Sequence, residues 1–185
     1  MPAFKMNKDS VVLIVGDSHL MSPFGSDLQK LILSIGVKRV ELVGALGFTP
    51  QHWVKGGAAT SSILNAAVRK NVEVPSIGNL LKDIQPNVVI ASLGTNGAAG
   101  VEPFCKAVVD AGAKFFWVGP PPMRKGPPVA ALKKQFEAAA KGKAEWIESL
   151  EGQQYPATGG DGIHYTTFLP ICKTWASSVL KDIQS

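Results

Sequence analysis

The stretch VVLIVGDSHL, residues 11–20, decides the expected fold. Its first five residues form an unbroken apolar run rich in β-branched side chains, which is typical of a strand buried on both faces of a parallel sheet. The run ends at Gly16-Asp17-Ser18, so a serine hydroxyl directly follows the carboxyl end of the strand. Ligands bind at that edge in open α/β sheets. Ser18 is either a helix cap or a functional group, and we expect Asp17 to stabilise the turn through backbone hydrogen bonds.

Four further apolar segments predict strands, and segments with helical periodicity lie between them. The predicted strands cover residues 11–15, 39–43, 88–93, 114–118 and 144–150, and the predicted helices cover residues 24–35, 75–84, 101–111, 129–141 and 166–183. This alternation favours a three-layer αβα sandwich around a mostly parallel five-stranded sheet. We expect one domain over residues 1–185, since a chain of this length can bury a core without disulfides or metals.

Residues 51–69 carry a mixed pattern. His52-Trp53 is placed to begin a short helix, Gly56-Gly57 ends it, and residues 61–69 are interpreted as a resumed helix. The preceding residues, 44–50, form a glycine-spaced loop after the second predicted strand.

The composition is that of an ordinary globular protein. Hydrophobic residues make up 45% of the chain and charged residues 18%, which argues against disorder. The net charge of +5 comes from scattered basic residues, of which Lys133-Lys134, Lys141 and Lys143 are the densest group. We interpret that group as a solvated helix face, so we expect no nucleic-acid partner. No run of 18 apolar residues occurs, so we expect no membrane span.

The two cysteines, Cys105 and Cys172, lack the spacing of a metal site or a C-x-x-C motif. Buried thiols are the default expectation, with a disulfide between them as the alternative. Residues 1–10 are polar and lack the apolar region of a secretory signal, so we expect a soluble protein. Its compartment stays open between the cytoplasm and an exported or virion domain without its signal. The sequence does not define an oligomeric state.

Polar groups follow the predicted strands at the edge where ligands bind. Ser18 follows the first strand, Gly47 the second and Asn96 the third, and Asp161-Gly162-Ile163-His164 precedes the last helix. A serine hydroxyl becomes a strong nucleophile when a base removes its proton, and His164 is a candidate base. Asp161 can hold the other imidazole nitrogen from the same turn. The amides of Ser18 and Gly47 and the side chain of Asn96 are candidate oxyanion donors.

This constellation resembles the SGNH, or GDSL-type, hydrolases. The residues that carry the resemblance lie in family order along almost the whole chain: Gly16-Asp17-Ser18, Gly47, Gly94-Thr95-Asn96 and Asp161-Gly162-Ile163-His164. The resemblance implies a flavodoxin-like three-layer fold and ester hydrolysis through an acyl-enzyme, without a metal or a cofactor. It also implies Ser18 as nucleophile, His164 as base and Asp161 as its orienting partner, with Gly47 and Asn96 as oxyanion donors.

Three positions depart from the family pattern. His19 stands where leucine often follows the serine, and Gly97 stands where aspartate commonly follows the asparagine. The second block matches most loosely, so Gly44 and Gly57 stay open as alternatives to Gly47.

Other side chains near these motifs have two interpretations each. Arg124, in the proline-rich loop at 119–128, either reaches toward an anionic substrate or is a solvated charge on a rigid connector. Trp53 either belongs to the core or offers a stacking surface to a sugar ring. His19 and His52 have no spacing that demands a metal.

The sequence predicts a serine esterase that removes small acyl groups, with an O-acetyl ester on a carbohydrate as the expected substrate. The lack of a long apolar lid favours this substrate over a fatty acyl chain. A lipase, lysophospholipase or thioesterase is the alternative enzyme. A module that binds an anion at helix N-termini is the non-catalytic alternative, although such a module has no use for a carboxylate-oriented histidine.

Overall fold

A computed structural model describes residues 4–65, 67–126 and 128–185 of the protein. Within these ranges, seven strands and six helices form an α/β architecture. In chain order they are β1 (Val11–Gly16), α1 (Pro23–Ser34), β2 (Arg39–Ala45), α2 (Pro50–Lys55), β3 (Gly57–Leu64), β4 (Ala67–Val74), α3 (Ile77–Ile84), β5 (Val88–Ser92), α4 (Val101–Asp110), β6 (Lys114–Val118), α5 (Val129–Ala140), β7 (Ala144–Ile147) and α6 (Leu169–Ile183).

The seven strands form one mixed sheet in the order β4-β3-β2-β1-β5-β6-β7. The run from β2 to β7 is parallel, whereas β3 pairs antiparallel with β2 and β4 antiparallel with β3. The five strands predicted from the sequence make up the parallel part. The prediction of a five-stranded sheet is wrong, because β3 and β4 extend one edge.

The added strands form a hairpin where the sequence predicted a helix over residues 61–69. Asn65 turns the chain with a φ of +45°. Its backbone amide donates to the carbonyl of Leu42 at 2.9 Å, and its side-chain Oδ1 accepts from the Leu42 amide at 2.8 Å. Strand pairing of β3 with the open edge of β2 therefore outweighs the local sequence pattern that favours a helix. Because β4 is exposed along most of its length, it shows no alternation of apolar and polar residues.

The helices cover both faces of the sheet, which gives three layers. Alternate side chains of β1 point to opposite sides: Val12 and Ile14 pack with α1 and α6, and Leu13 and Val15 pack with helices α2 to α5. All four side chains are fully buried, as the apolar run predicts.

The two cysteines lie on opposite faces of this sheet. Cys105 belongs to the core beneath α4, and Cys172 belongs to the core beneath α6. Both are free and buried, so the alternative of a disulfide between them is wrong.

Local capping sets the helix ends within a few residues of the predicted bounds. Ser76 caps α3 by accepting from the Asn79 amide at 3.2 Å, so that helix begins at Ile77. The last helix begins at Leu169 rather than at residue 166. No helix in the part of the chain described is long and apolar enough to cross a membrane.

Candidate active site

The turn after β1 holds Ser18 at the carboxyl edge of the sheet. The Asp17 amide donates to the carbonyl of Ser92 at 3.2 Å, which fastens the turn to the end of β5. Asp17 Oδ1 accepts from the His19 amide at 3.0 Å, as expected for a residue that stabilises the turn. Gly16 permits this close approach, because a Cβ there would lie 2.6 Å from the Ser92 oxygen.

Ser18 is not a helix cap. The N-cap of α1 is Ser22, whose hydroxyl accepts from the Phe24 amide at 3.3 Å. Ser18 is 8% exposed, and its hydroxyl lies within hydrogen-bond distance of an imidazole. The capping interpretation of Ser18 is therefore wrong.

Three side chains from two distant parts of the sequence form one hydrogen-bonded series. Nε2 of His164 lies 2.9 Å from Oγ of Ser18, 146 residues away along the chain. Nδ1 of the same ring lies 2.6 Å from Oδ2 of Asp161. With the Nδ1 proton directed to the carboxylate, Nε2 presents its lone pair to the serine hydroxyl. This is the geometry that activates a serine as a nucleophile.

Asp161 builds a local turn as well as contacting the imidazole. Its Oδ1 accepts from the backbone amides of Ile163 at 2.8 Å and His164 at 2.7 Å. The hydrogen bond from the His164 ring, followed by these two amides, holds the pKa of Asp161 well below its usual range. The carboxylate therefore stays ionised beside the imidazole. Asp161 is not the cap of α6, because that helix begins after Phe168.

The two remaining predicted residues lie in loops that contact each other. Asn96 follows β5, and its side-chain Nδ2 donates to the Phe48 carbonyl at 3.2 Å. Gly47 directly precedes Phe48 and has a φ of +75°. Gly44 is paired inside β2, and Gly57 begins β3 opposite Val74. The contact with the Asn96 turn therefore favours Gly47 among the three glycines.

His52 stabilises the loop that carries Gly47 and Phe48. This role was not predicted from the sequence. Nδ1 of His52 accepts from the Thr49 amide at 3.1 Å and lies 2.9 Å from the Thr49 hydroxyl, while its ring stacks on Phe48. The sequence signal for this contact is a capping box. Thr49 is followed by a proline, and the residue three positions after Thr49 has a side chain that can reach back to the Thr49 amide. Trp53 is fully buried against Phe48 and so belongs to the core.

Arg124 is exposed, and its guanidinium contacts the backbone of another loop. Its guanidinium donates to the carbonyls of Ala157 at 3.1 Å and Gly159 at 2.7 Å. Both carbonyls belong to the segment that leads to Asp161. Arg124 is thus an exposed charge on this loop, as the connector interpretation predicts, and it also binds two backbone carbonyls.

His19 packs against the imidazole of His164. Its ring centre lies 5.4 Å from that of His164 and 5.7 Å from that of Trp175. Burial lowers the pKa of His19 to about 3, so its ring is neutral at physiological pH. Among the residues described, no group of three or more His, Cys, Asp or Glu side chains is arranged to hold a metal ion.

The chain shares its fold with solved bacterial proteins. A GDSL-like lipase from Bacteroides thetaiotaomicron aligns with a TM-score of 0.55 and 14% identity, over 92% of this chain and 87% of the lipase. A candidate acylhydrolase from Bacteroides fragilis aligns with a TM-score of 0.53 and 15% identity, over 100% of this chain and 93% of that protein. No family model and no curated protein matches the sequence. At these identities the likeness establishes the fold: an α/β architecture common to this chain and to those two proteins.

Proposed function

We propose that the protein is a serine esterase that hydrolyses short acyl esters. The observation that carries the proposal is the series from Ser18 through His164 to Asp161, placed at the carboxyl edge of the sheet. An anion-binding module would need backbone amides there, but not an imidazole held between a hydroxyl and a carboxylate.

The reaction begins when Ser18 Oγ attacks the ester carbonyl carbon and passes its proton to His164 Nε2. Asp161 stabilises the imidazolium that forms. Negative charge develops on the carbonyl oxygen, and the Ser18 and Gly47 amides and the Asn96 side-chain amide donate to it. His164 then gives its proton to the leaving alkoxide oxygen, which departs as an alcohol. An acyl group remains on Ser18.

Water completes the cycle. His164 takes a proton from the water as its oxygen attacks the acyl carbon, and the second tetrahedral intermediate is stabilised by the same donors. When the bond to Oγ breaks, the proton returns from His164 to Ser18. The carboxylic acid leaves, and the enzyme is restored.

Neither of two surface pockets is lined by a proposed catalytic residue. An apolar pocket of about 120 Å³ is lined in part by Gly94 and Gly97, which lie on either side of Asn96, and by Pro120 and Leu132. A larger groove of about 690 Å³ lies between α4 and α5. Because neither of these pockets gives a fatty chain an apolar channel that starts at Ser18, a short acyl group is the proposed substrate.

The alcohol part of the substrate is proposed to be a carbohydrate. The side chain of His164 is 29% exposed and that of Asp161 is 55% exposed. A site this open to solvent suits a bulky, hydrophilic alcohol whose sugar rings stay outside while the acetyl group enters. A buried lipid chain would need apolar cover instead.

The test is hydrolysis of p-nitrophenyl esters from acetate to palmitate. Ser18→Ala serves as the blank, and Ser26→Ala, at a serine of α1 outside the site, serves as the matched control. We expect turnover that depends on Ser18, is kept by Ser26→Ala, and falls steeply beyond butyrate. Activity that rises with chain length would favour a lipase. Absence of both turnover and fluorophosphonate labelling of Ser18 would refute the esterase.

A further inference from the structure

The segment that carries Asp161 and His164 is long and rich in glycine. It runs from the end of β7 at Ile147 to the start of α6 at Leu169 without a helix or strand. Gly159, Gly160 and Gly162 have φ angles of +78°, +61° and +90°. Ordering a backbone costs conformational entropy at every residue, and most for glycine. Contacts from outside the segment must therefore hold it in place.

Arg124 supplies such contacts from the proline-rich loop after β6. Its Nη1 and Nη2 donate to the carbonyls of Ala157 and Gly159, and its backbone amide donates to the carbonyl of Gly162 at 2.9 Å. The guanidinium carbon lies 5.1 Å from the centre of the Tyr155 ring. One side chain and its amide thus contact four residues of the segment.

Tyr155 extends this restraint to the catalytic imidazole. Its hydroxyl donates to the carbonyl of His164 at 2.8 Å and accepts from the Gly162 amide at 3.3 Å. The ring that Arg124 covers is therefore bonded to the backbone of the residue whose Nε2 faces Ser18. A continuous set of contacts leads from Arg124 to the nucleophile.

We propose that Arg124 is a positioning residue that fixes the Asp161–His164 segment for catalysis. The proposal rests on the proposed esterase function. The guanidinium suits this role because its donors form a rigid planar fork that reaches two carbonyls at once and stacks on an aromatic ring. The flexible ammonium of lysine, a single point charge, cannot reproduce that arrangement.

The expected effect of Arg124→Ala is on turnover rather than on substrate binding. A displacement of about 1 Å in a catalytic group can lower the rate about 100-fold. We therefore expect kcat for p-nitrophenyl acetate to fall about 10- to 100-fold with KM nearly unchanged. Arg124→Lys should resemble Arg124→Ala. Lys125→Ala is the matched control, because it removes the neighbouring exposed cation and keeps the backbone.

The same variants separate positioning from recognition of an anionic substrate. Each is assayed on p-nitrophenyl acetate and on the hemisuccinate, which carries a carboxylate. Positioning predicts an equal loss of kcat on both esters. A rise in KM confined to the hemisuccinate would overturn the proposal, and so would a wild-type kcat in Arg124→Ala.

A measurement without substrate keeps the proposal independent of the esterase assay. The proton on His164 Nδ1, which is hydrogen-bonded to Asp161, is expected to give a far-downfield signal in the proton NMR spectrum. The signal is seen only while this hydrogen bond protects the proton from exchange with water. Arg124→Ala should broaden or remove this signal, and Lys125→Ala should keep it. Wild-type protein that neither turns over an ester nor is labelled by a fluorophosphonate at Ser18 would refute the proposed function. An unchanged signal in Arg124→Ala would refute the positioning role.

Discussion

At the residue scale, His19 lowers the stability of the folded protein because its imidazole is buried without hydrogen-bond partners among the described residues. The side chain is 1% exposed, and within the described residues neither ring nitrogen has a partner. A buried polar group left unsatisfied costs about 1–3 kcal/mol. Its ring packs between His164 and Trp175, and Trp175 stacks on Phe24 with ring centres 3.7 Å apart. The contribution of His19 to stability is therefore packing alone, offset by the lost hydration of two nitrogens.

Replacing His19 by leucine should stabilise the protein. Leucine fills the same buried space with an apolar side chain and removes the two unsatisfied nitrogens. We therefore expect the free energy of unfolding to rise by about 1 kcal/mol or more. Denaturant unfolding at pH 7 measures the change. His19→Asn, which keeps buried polar atoms, is the control and should gain nothing. A leucine variant less stable than the wild type would contradict the argument.

At the element scale, burial decides which parts of the fold the sequence predicts. The central strands β1, β5 and β6 match their predicted bounds within one residue, because burial on both faces produces unbroken apolar runs. The hairpin of β3 and β4 was missed because its outer strand is solvated and its position depends on the edge of β2. Ser18, Asn96 and His164 were proposed from motifs at strand and helix ends. Contacts between two loops, such as those of Arg124, leave no local pattern to read.

The hairpin depends on Asn65, which makes two bonds to Leu42 and has a positive φ. Asn65→Ala removes the side-chain acceptor of the Leu42 amide. It also places alanine at a positive φ, which alanine disfavours and which it cannot stabilise with a side-chain hydrogen bond. We expect a loss of about 1–3 kcal/mol in the free energy of unfolding, measured by denaturant titration. Asn65→Gly should lose less, because glycine accepts the positive φ freely. Equal stability of the alanine variant and the wild type would show that the hairpin does not depend on this residue.

At the scale of the whole molecule, the candidate residues come from four segments that follow strands or precede α6, and the turn after β1 also buries a carboxyl group. Burial raises the pKa of Asp17 to about 6, although hydrogen bonds from the backbone of His19 and Thr95 oppose the shift. Asp161 behaves oppositely: its pKa is depressed, so its contribution to stability is present above the ordinary carboxyl range and lost only in strong acid. Asp161 therefore makes the protein less stable in strong acid, whereas Asp17 makes it less stable as pH rises toward neutral.

Asp17 should make the wild-type protein less stable as pH rises from 4 to 7. Between the ordinary carboxyl pKa of 3.8 and about 6, the folded chain binds more protons than the unfolded chain, so the free energy of unfolding falls as pH rises through this window. A shift of roughly two units corresponds to about 3 kcal/mol. Asp17→Asn keeps the acceptor for the His19 amide and cannot ionise.

The stability of Asp17→Asn relative to the wild type should therefore increase by about 2–2.5 kcal/mol between pH 4 and pH 7, measured by urea unfolding at half-unit steps. Asp83→Asn, at an exposed carboxylate of α3, is the matched control and should follow the wild-type curve. Parallel curves for Asp17→Asn and the wild type would mean that Asp17 is ionised at no cost beside Ser18. The carboxylate would then have a stabilising partner at neutral pH that offsets its burial.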